Sequence, residues 1–280
     1  MRSRTLDGPF GVEFYDVDVS RMTDGELAEA AVAQNANGVV FFRGQELDCA
    51  QHIAFANRWG DIVVNRFFER VEGYPQIAMV RKEPWHRTVV GETWHTDHSY
   101  DAEPARGSIL YAREIPSRGG DTLFANMYMA YEALSPGLRR TLESLNAVHT
   151  SAHVFSTEAV QTFEEGDDRY HSGERAVQRS VHPVVIRHPS SGRKALYVNP
   201  DFTTQFEGWT VEESRPLLDY LHRHSTRDEF VVRFSWQRGT IAFWDNRAVM
   251  HKAANDYPTE RRLMHRITLS GCALRGTGAE

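Results

Sequence analysis

The segment Trp94-His95-Thr96-Asp97 sets an imidazole and a carboxylate two positions apart. On an extended backbone, positions i and i+2 face the same side, so His95 and Asp97 can present a nitrogen and an oxygen to one point. A third donor has to come from elsewhere, and Phe243-Trp244-Asp245-Asn246-Arg247-Ala248-Val249-Met250-His251 supplies a histidine just past an apolar run. Two neutral nitrogens and one carboxylate on one face of an octahedron leave the other face open, which suits non-haem Fe(II) binding a cosubstrate and dioxygen together. Zinc takes the same donor types, so a hydrolytic centre also fits. His-x-Asp is also short enough to arise as an ordinary hydrogen-bonded pair.

The stretch Arg261-Arg262-Leu263-Met264-His265-Arg266-Ile267-Thr268-Leu269 alternates as a strand, with Arg262, Met264, Arg266 and Thr268 on one face. At about 3.3 Å per residue its two inward guanidinium groups stand roughly 13 Å apart. Cations beside an apolar core are costly unless anions meet them. Either two anionic ligands gather around one metal, or acidic side chains at a sheet edge answer the arginines. Other constellations carry less. His222 and His224 point about 200° apart on a helix and read as surface residues, and His149 and His153 have no carboxylate at ligand spacing. Asp121 beside Thr122 lacks the Gly-x-Ser-x-Gly elbow of a hydrolase.

These residues need a scaffold rich in strands. β-branched and apolar runs recur at Gln76–Val80, Trp94–Tyr100, Gly107–Tyr111, Val181–Ile186, Ala195–Val198, Phe230–Phe234, Thr240–Trp244 and Leu263–Leu269. Pro189–Gly192 and Gln237–Gly239 read as hairpin turns. Capping-box spacing at Thr23/Glu26 and Thr210/Glu213 predicts helices running to Asn37 and to His224; further helices are expected over Asp48–Trp59 and Asn126–Leu145. Many short strands with a few outer helices predict a mainly β fold with flanking helices (α+β), a double-stranded β-helix or jelly roll, with a generic α+β fold as the other arrangement. One domain over residues 1–280 is expected. The polar stretch at about 156–180 is too long for a plain connection and reads as a lid or a solvated insertion.

Composition narrows the partners. Lys plus Arg number 32 against 38 for Asp plus Glu, a net charge of −6 without a basic block, which argues against nucleic acid. The apolar runs are far shorter than the roughly 20 residues that span a bilayer, so no membrane partner is expected. The N-terminus lacks the apolar core of a secretory signal. With only Cys49 and Cys272, no thiolate metal site or disulfide framework is encoded, and a cytoplasmic, reducing setting fits.

In its ordered motifs the sequence resembles the taurine/2,4-dichlorophenoxyacetate dioxygenase family of Fe(II)/2-oxoglutarate-dependent enzymes. The resemblance covers nearly the whole chain. It runs through Phe10-Gly11-Val12-Glu13, Val40-Phe41-Phe42-Arg43-Gly44-Gln45, His52-Ile53-Ala54-Phe55-Ala56, Trp94-His95-Thr96-Asp97, Gly119-Gly120-Asp121-Thr122, Tyr197-Val198-Asn199 and Trp244-Asp245-Asn246 to His251 and Arg262. It implies that His95, Asp97 and His251 bind Fe(II). Arg262, eleven positions after His251, and Thr122 would hold the distal carboxylate of 2-oxoglutarate. Oxidative decarboxylation with O2 would give succinate and CO2 while the substrate is hydroxylated.

Arg266 matches the position that holds the substrate's anionic end, so a small organic anion is implied: a sulfonate, alkyl sulfate, aryloxyalkanoate or other carboxylate. Phe155 and Phe202 fall where the family places aromatic pocket walls, with Tyr100 close enough to join them. Trp244 is expected beneath the site. Where taurine-specific members carry a histidine, the loop Val64-Asn65-Arg66 offers Asn65 or Arg66, which argues against taurine itself. His98 differs from the family too and, on a strand, would point away from the site. The family also implies a homo-oligomer, dimer or tetramer. The alternative, a non-catalytic metal-binding ligand sensor or pseudo-enzyme on the same fold, would ordinarily lack a ligand or the 2-oxoglutarate arginine, and here none is missing.

Overall fold

Capping chemistry starts the helices. Thr23 accepts from the Glu26 N–H while Glu26 reaches back to the Thr23 N–H, opening α1 (Asp24–Asn37), which left-handed Gly38 closes. Asp48 and Gln51 open α2 (Cys49–Asn57) the same way. The expected Asn126–Leu145 helix is two, α3 (Met127–Glu132) and α4 (Pro136–Glu143). Ser135 caps a fresh start there, with Pro136 in the first turn, where its missing N–H does no harm. A short α5 (Ala152–Phe155) and a long α6 (Val211–Ser225), opened by Thr210 and Glu213, complete the set. The computed structural model describes residues 1–155, 169 and 177–277. Most of the expected 156–180 lid lies outside the described residues, as does the side chain of Phe155.

The strands are β1 (Arg2–Thr5), β2 (Val12–Tyr15), β3 (Val39–Phe42), β4 (Ile62–Val63), β5 (Arg70–Val71) and β6 (Tyr74–Lys82). They continue with β7 (Gly107–Glu114), β8 (Thr122–Asn126), β9 (Asn146–Thr150), β10 (Arg179–Pro183), β11 (Val185–Arg187) and β12 (Lys194–Leu196). Last come β13 (Thr203–Phe206), β14 (Val231–Phe234), β15 (Ile241–Asp245), β16 (Val249–Ala253) and β17 (Arg262–Leu269). Among the described residues the large sheet runs β1-β2-β3-β15-β7-β17-β6-β5, with β4 on β17, and faces a smaller β14-β8-β16 sheet. The fold is mainly β with flanking helices, a double-stranded β-helix.

Burial on both faces of the large sheet explains why β3 is a continuous apolar run rather than an alternating one. Val40 and Phe42 pack with Phe55, Trp59 and Ile267 under α1 and α2. Val39 and Phe41 face the smaller sheet, where Phe41 stacks on Phe234 at 3.7 Å and meets Phe124 edge-on at 5.6 Å. Met264 lies in that same inter-sheet core, so β17 aims Arg262 and Arg266 into it as well.

Four expectations need correction. Trp94–Tyr100 is not a strand: His95 alone makes an antiparallel bridge, to His251, with N–H···O distances of 3.0 and 2.9 Å, and the chain then turns through His98. Gln237–Gly239 is not a hairpin, because β14 and β15 lie in different sheets and the turn carries the chain between them. Gly239 is needed there, since a Cβ would stand 2.6 Å from the Gln45 carbonyl oxygen. His224 is not at the surface: it is buried and donates from Nε2 to the Ala130 carbonyl at 2.7 Å, which makes it a helix-packing residue. His222, its companion, is half-buried. Pro189–Gly192 does form a hairpin, between β11 and β12. Among the described residues no helix is long and apolar enough to cross a membrane.

Candidate active site

The turn between β15 and β16 is locked before the site begins. Buried Asp245 accepts from Arg247 Nε at 2.8 Å and Nη2 at 2.6 Å, and from His188 Nε2 at 3.1 Å. Burial alone would raise its carboxyl, but Arg247 and His188 hold it far below the usual carboxylate range. This fixes the start of β16 and therefore His251, whose ring packs on Trp244 at 4.5 Å and Phe124 at 6.2 Å. Trp244 thus lies under the site, as the sequence suggested.

The His95–His251 bridge brings the two imidazoles within 4.2 Å of each other. Asp97 joins them from the turn that follows. The Asp97 oxygens stand 3.6 Å from His95 Nε2 and 3.8 Å from His251 Nε2, spans that two bonds of about 2.1 Å to a common ion can bridge. All the candidate donor atoms lie within 4.8 Å of one another, and this is the metal-type cluster found among the described residues. His95 Nδ1 donates to the Thr93 carbonyl at 2.8 Å, which leaves its Nε2 lone pair facing Asp97. Gly91 makes room for that ring: its φ is +75°, and a Cβ would come within 2.8 Å of His95 Cε1.

The electrostatics favour a cation. Burial would raise the Asp97 carboxyl, yet the Arg266 guanidinium beside it holds it well below its ordinary range. Burial pushes His251 well below its ordinary range, so its imidazole is available as a donor. Ser108, fully buried on β7, donates to Asp97 Oδ2 at 2.9 Å and accepts from Arg266 Nε at 3.2 Å. Arg266 Nη2 lies 2.8 Å from Asp97 Oδ2 as an ion pair, and among the described residues Nη2 makes no hydrogen bond. Arg266 therefore neutralises Asp97 while retaining a donor.

Arg262 is held differently. It is buried, and neither Nε nor Nη2 has a hydrogen-bond partner. Burial lowers its affinity for its proton, partly countered by Tyr257 and Asp121, and the Trp236 ring centre lies 5.8 Å from its guanidinium carbon. Thr122 lines the same cavity; its hydroxyl oxygen accepts from Trp236 Nε1 at 2.9 Å, which leaves the hydroxyl proton free to point elsewhere. A buried cation with open donors beside a hydroxyl is a socket for a carboxylate.

Two adjoining cavities share His95 and Arg266. The first adds Thr122, His251 and Arg262. The second adds Asn65, Asp97, Tyr100 and Phe202, with Tyr100 and Phe202 in edge contact at 4.8 Å. Arg66 instead turns to Asp101, 2.5 Å away, and lines neither cavity. His98, expected to point away, lines the second cavity because its left-handed backbone reverses the strand alternation. Ser108, Gly91 and Trp236 were not singled out in the sequence. A lone hydroxyl in the apolar run Gly107-Ser108-Ile109-Leu110 was the one signal that marked Ser108.

Comparison with known proteins agrees with this arrangement. The family described as "Taurine catabolism dioxygenase TauD, TfdA family" matches residues 2–268. An alpha-ketoglutarate-dependent sulfate ester dioxygenase from Pseudomonas putida is 33% identical over 267 residues, spanning 94% of this chain and 87% of that protein. An alpha-ketoglutarate-dependent 2,4-dichlorophenoxyacetate dioxygenase from Burkholderia sp. (strain RASC) is 34% identical over 277 residues, covering 92% and 90% of the two chains. Among solved structures, a taurine dioxygenase from Burkholderia xenovorans superposes with a TM-score of 0.82 at 34% identity, covering 100% of this chain and 94% of that one.

A β-helix with buried nitrogen and carboxylate donors beside an open guanidinium defines an oxidoreductase of the 2-oxoglutarate-dependent dioxygenase class. The chain belongs to the taurine catabolism dioxygenase TauD, TfdA family.

Proposed function

We propose that this dioxygenase hydroxylates a small organic anion, a sulfonate, alkyl sulfate, aryloxyalkanoate or other carboxylate, at a ferrous centre held by His95, Asp97 and His251. Succinate and CO2 are the co-products. The observation that carries the reading is Arg262, whose buried Nε and Nη2 have no partner among the described residues. A guanidinium left open in an apolar core is stabilised only when an anion arrives, and the 2-oxoglutarate tail is such an anion.

The residues divide the work. His95, His251 and Asp97 would hold the metal through two imidazole nitrogens and a carboxylate oxygen, a set of borderline and hard donors that fits Fe(II). When bound, iron with 2-oxoglutarate supplies the activation of dioxygen. Arg262 and the Thr122 hydroxyl orient the cosubstrate. Ser108 and Arg266 keep the second Asp97 oxygen occupied and thereby fix the carboxylate. Arg266 turns its spare donor to the substrate's anionic end, and Asn65, Tyr100 and Phe202 shape the rest of its pocket. Trp244, Phe124 and Leu110 keep bulk water from the metal side. The chain works as one domain.

Substrate-stimulated succinate release across a panel of sulfonates, alkyl sulfates and aryloxyalkanoates tests the proposal. Release that needs Fe(II), 2-oxoglutarate and an anion together supports it. Turnover of a sulfate ester or other bond with zinc and without 2-oxoglutarate would replace it.

A further inference from the structure

His98 adopts φ +58°, a left-handed conformation that side-chain-bearing residues rarely take, and it is buried against the substrate cavity. Its hydrogen bonds fix which atom faces inward. Nδ1 lies 3.1 Å from Asp101 Oδ2, and a carboxylate accepts only, so the proton sits on Nδ1. The other Asp101 oxygen is taken by Arg66. Burial would raise the Asp101 carboxyl, but its bonds to His98 and Arg66 lower it, so it stays an acceptor. His98 Nε2 faces the Asn65 amide nitrogen, a donor, and so is placed as an acceptor.

Asn65 is fixed just as firmly. Its Oδ1 accepts from the backbone N–H of Phe67 at 2.8 Å and of Phe68 at 3.3 Å, so its amide nitrogen is the atom that faces His98 Nε2. Their separation is 3.4 Å, beyond the usual range for a good hydrogen bond. The rings of Phe67, Tyr100 and Phe202 surround the pair. A donor and an acceptor are thus held side by side, loosely satisfied by each other, in a stretch of wall rich in aromatic rings.

We infer that His98 and Asn65 read a hydroxyl group carried by the organic anion that Arg266 holds; the inference rests on the proposed function. A hydroxyl is the smallest substituent that meets both atoms through a single oxygen, accepting from the Asn65 N–H and donating to His98 Nε2. A second carboxylate or sulfonate can accept but sets its charge against the His98 lone pair. An ammonium can donate but leaves Asn65 facing a cation. A halogen or alkyl group satisfies neither. Because the two side chains fall back on each other when no hydroxyl is present, a plain analogue leaves no fully orphaned group. The preference is therefore about tenfold, as for one net hydrogen bond, rather than the far larger factors of a site left unpaired.

The test compares kcat/KM for succinate release by the iron-loaded enzyme on anions paired by one hydroxyl: 4-hydroxyphenoxyacetate with phenoxyacetate, and 2-hydroxyethanesulfonate with ethanesulfonate. In at least one pair the hydroxylated member should be favoured about tenfold, mainly through KM. His98→Gly suits the left-handed backbone and should keep the fold, yet bring that ratio close to one. His98→Asn, which also tolerates this backbone and returns an acceptor, should recover part of it. Calorimetric binding of the same pairs to the metal-free protein should show the same change of ratio without turnover. The inference is overturned by a wild-type preference for the plain member in every pair, or by a preference that survives His98→Gly. If no anion in any class stimulates succinate release, the proposed function itself fails and this inference falls with it.

Discussion

Arg262→Met separates a ligand-binding arginine from a structural one, because the two roles give opposite signs of stability change. The guanidinium is buried with Nε and Nη2 unpaired, and among the described residues no carboxylate bonds it. Each buried unsatisfied donor costs about 1–3 kcal/mol, and replacing buried charge by an apolar side chain of similar length is often stabilising by about 1–4 kcal/mol. Metal-free, cosubstrate-free Arg262→Met should therefore melt higher than wild type, by roughly 2–4 °C per kcal/mol gained. The same substitution removes a charge-assisted link to a carboxylate, worth about 3–5 kcal/mol when one partner is lost, so 2-oxoglutarate affinity should fall by roughly two to four orders of magnitude. Scanning calorimetry of the apo protein reads the first effect, and anaerobic 2-oxoglutarate titration of the Fe(II) form reads the second. A variant that melts several degrees lower while binding 2-oxoglutarate normally would refute the assignment and make Arg262 a packing residue.

Three further outcomes are expected. Gly91→Ala puts a methyl 2.8 Å from His95 Cε1 on a backbone at φ +75°, so Fe(II) affinity should drop at least about tenfold, the scale on which displaced metal-site partners act, with far-ultraviolet circular dichroism unchanged. Asp97→Ala should abolish the visible Fe(II)/2-oxoglutarate charge-transfer band under anaerobic conditions, whereas Arg266→Ala should keep the band and lose its response to substrate; the reverse pattern for Arg262 and Arg266 would swap their roles. His52 is buried with neither ring nitrogen paired, and burial, reinforced by His265 and Arg113, pushes its pKa down to about 3. In the unfolded chain it titrates near about 6.5, so between these values the unfolded state takes up the extra proton and stability falls as pH drops. His52→Leu should flatten that acid loss by up to about 1.4 kcal/mol for each pH unit crossed, read from urea midpoints at about pH 7 and about pH 5; an unchanged slope would show that His52 is not the titrating group.

The parts of the fold legible in the sequence were those governed by local chemistry. Thr23 and Glu26 cap α1 reciprocally because the signal and the structure it makes lie within one turn. Arg262 and Arg266 share the inner face of β17 because strand alternation needs no knowledge of the partner strands. His95 and Asp97 do converge, but not for the reason their spacing suggests. Only His95 is extended, held by its bridge to His251, and Asp97 arrives from a turn. That bridge joins segments far apart in the chain, so nothing local encodes it, and the left-handed turn of His98 into the cavity was hidden for the same reason. Gln237–Gly239 shows a similar limit: a hairpin and a crossing between sheets ask for the same turn residues, and only the pairing of β14 with β8 rather than β15 tells them apart. His224 was misplaced because a polar side chain that finds a carbonyl, here that of Ala130, can be buried at little cost.

The most direct test is anomalous diffraction at the iron edge from crystals grown anaerobically with Fe(II) and 2-oxoglutarate. One strong peak about 2 Å from His95 Nε2, an Asp97 oxygen and His251 Nε2, with the cosubstrate's far carboxylate on Arg262, is the expected result. Iron bound elsewhere, or at these residues with Arg262 still unpartnered, would contradict the account.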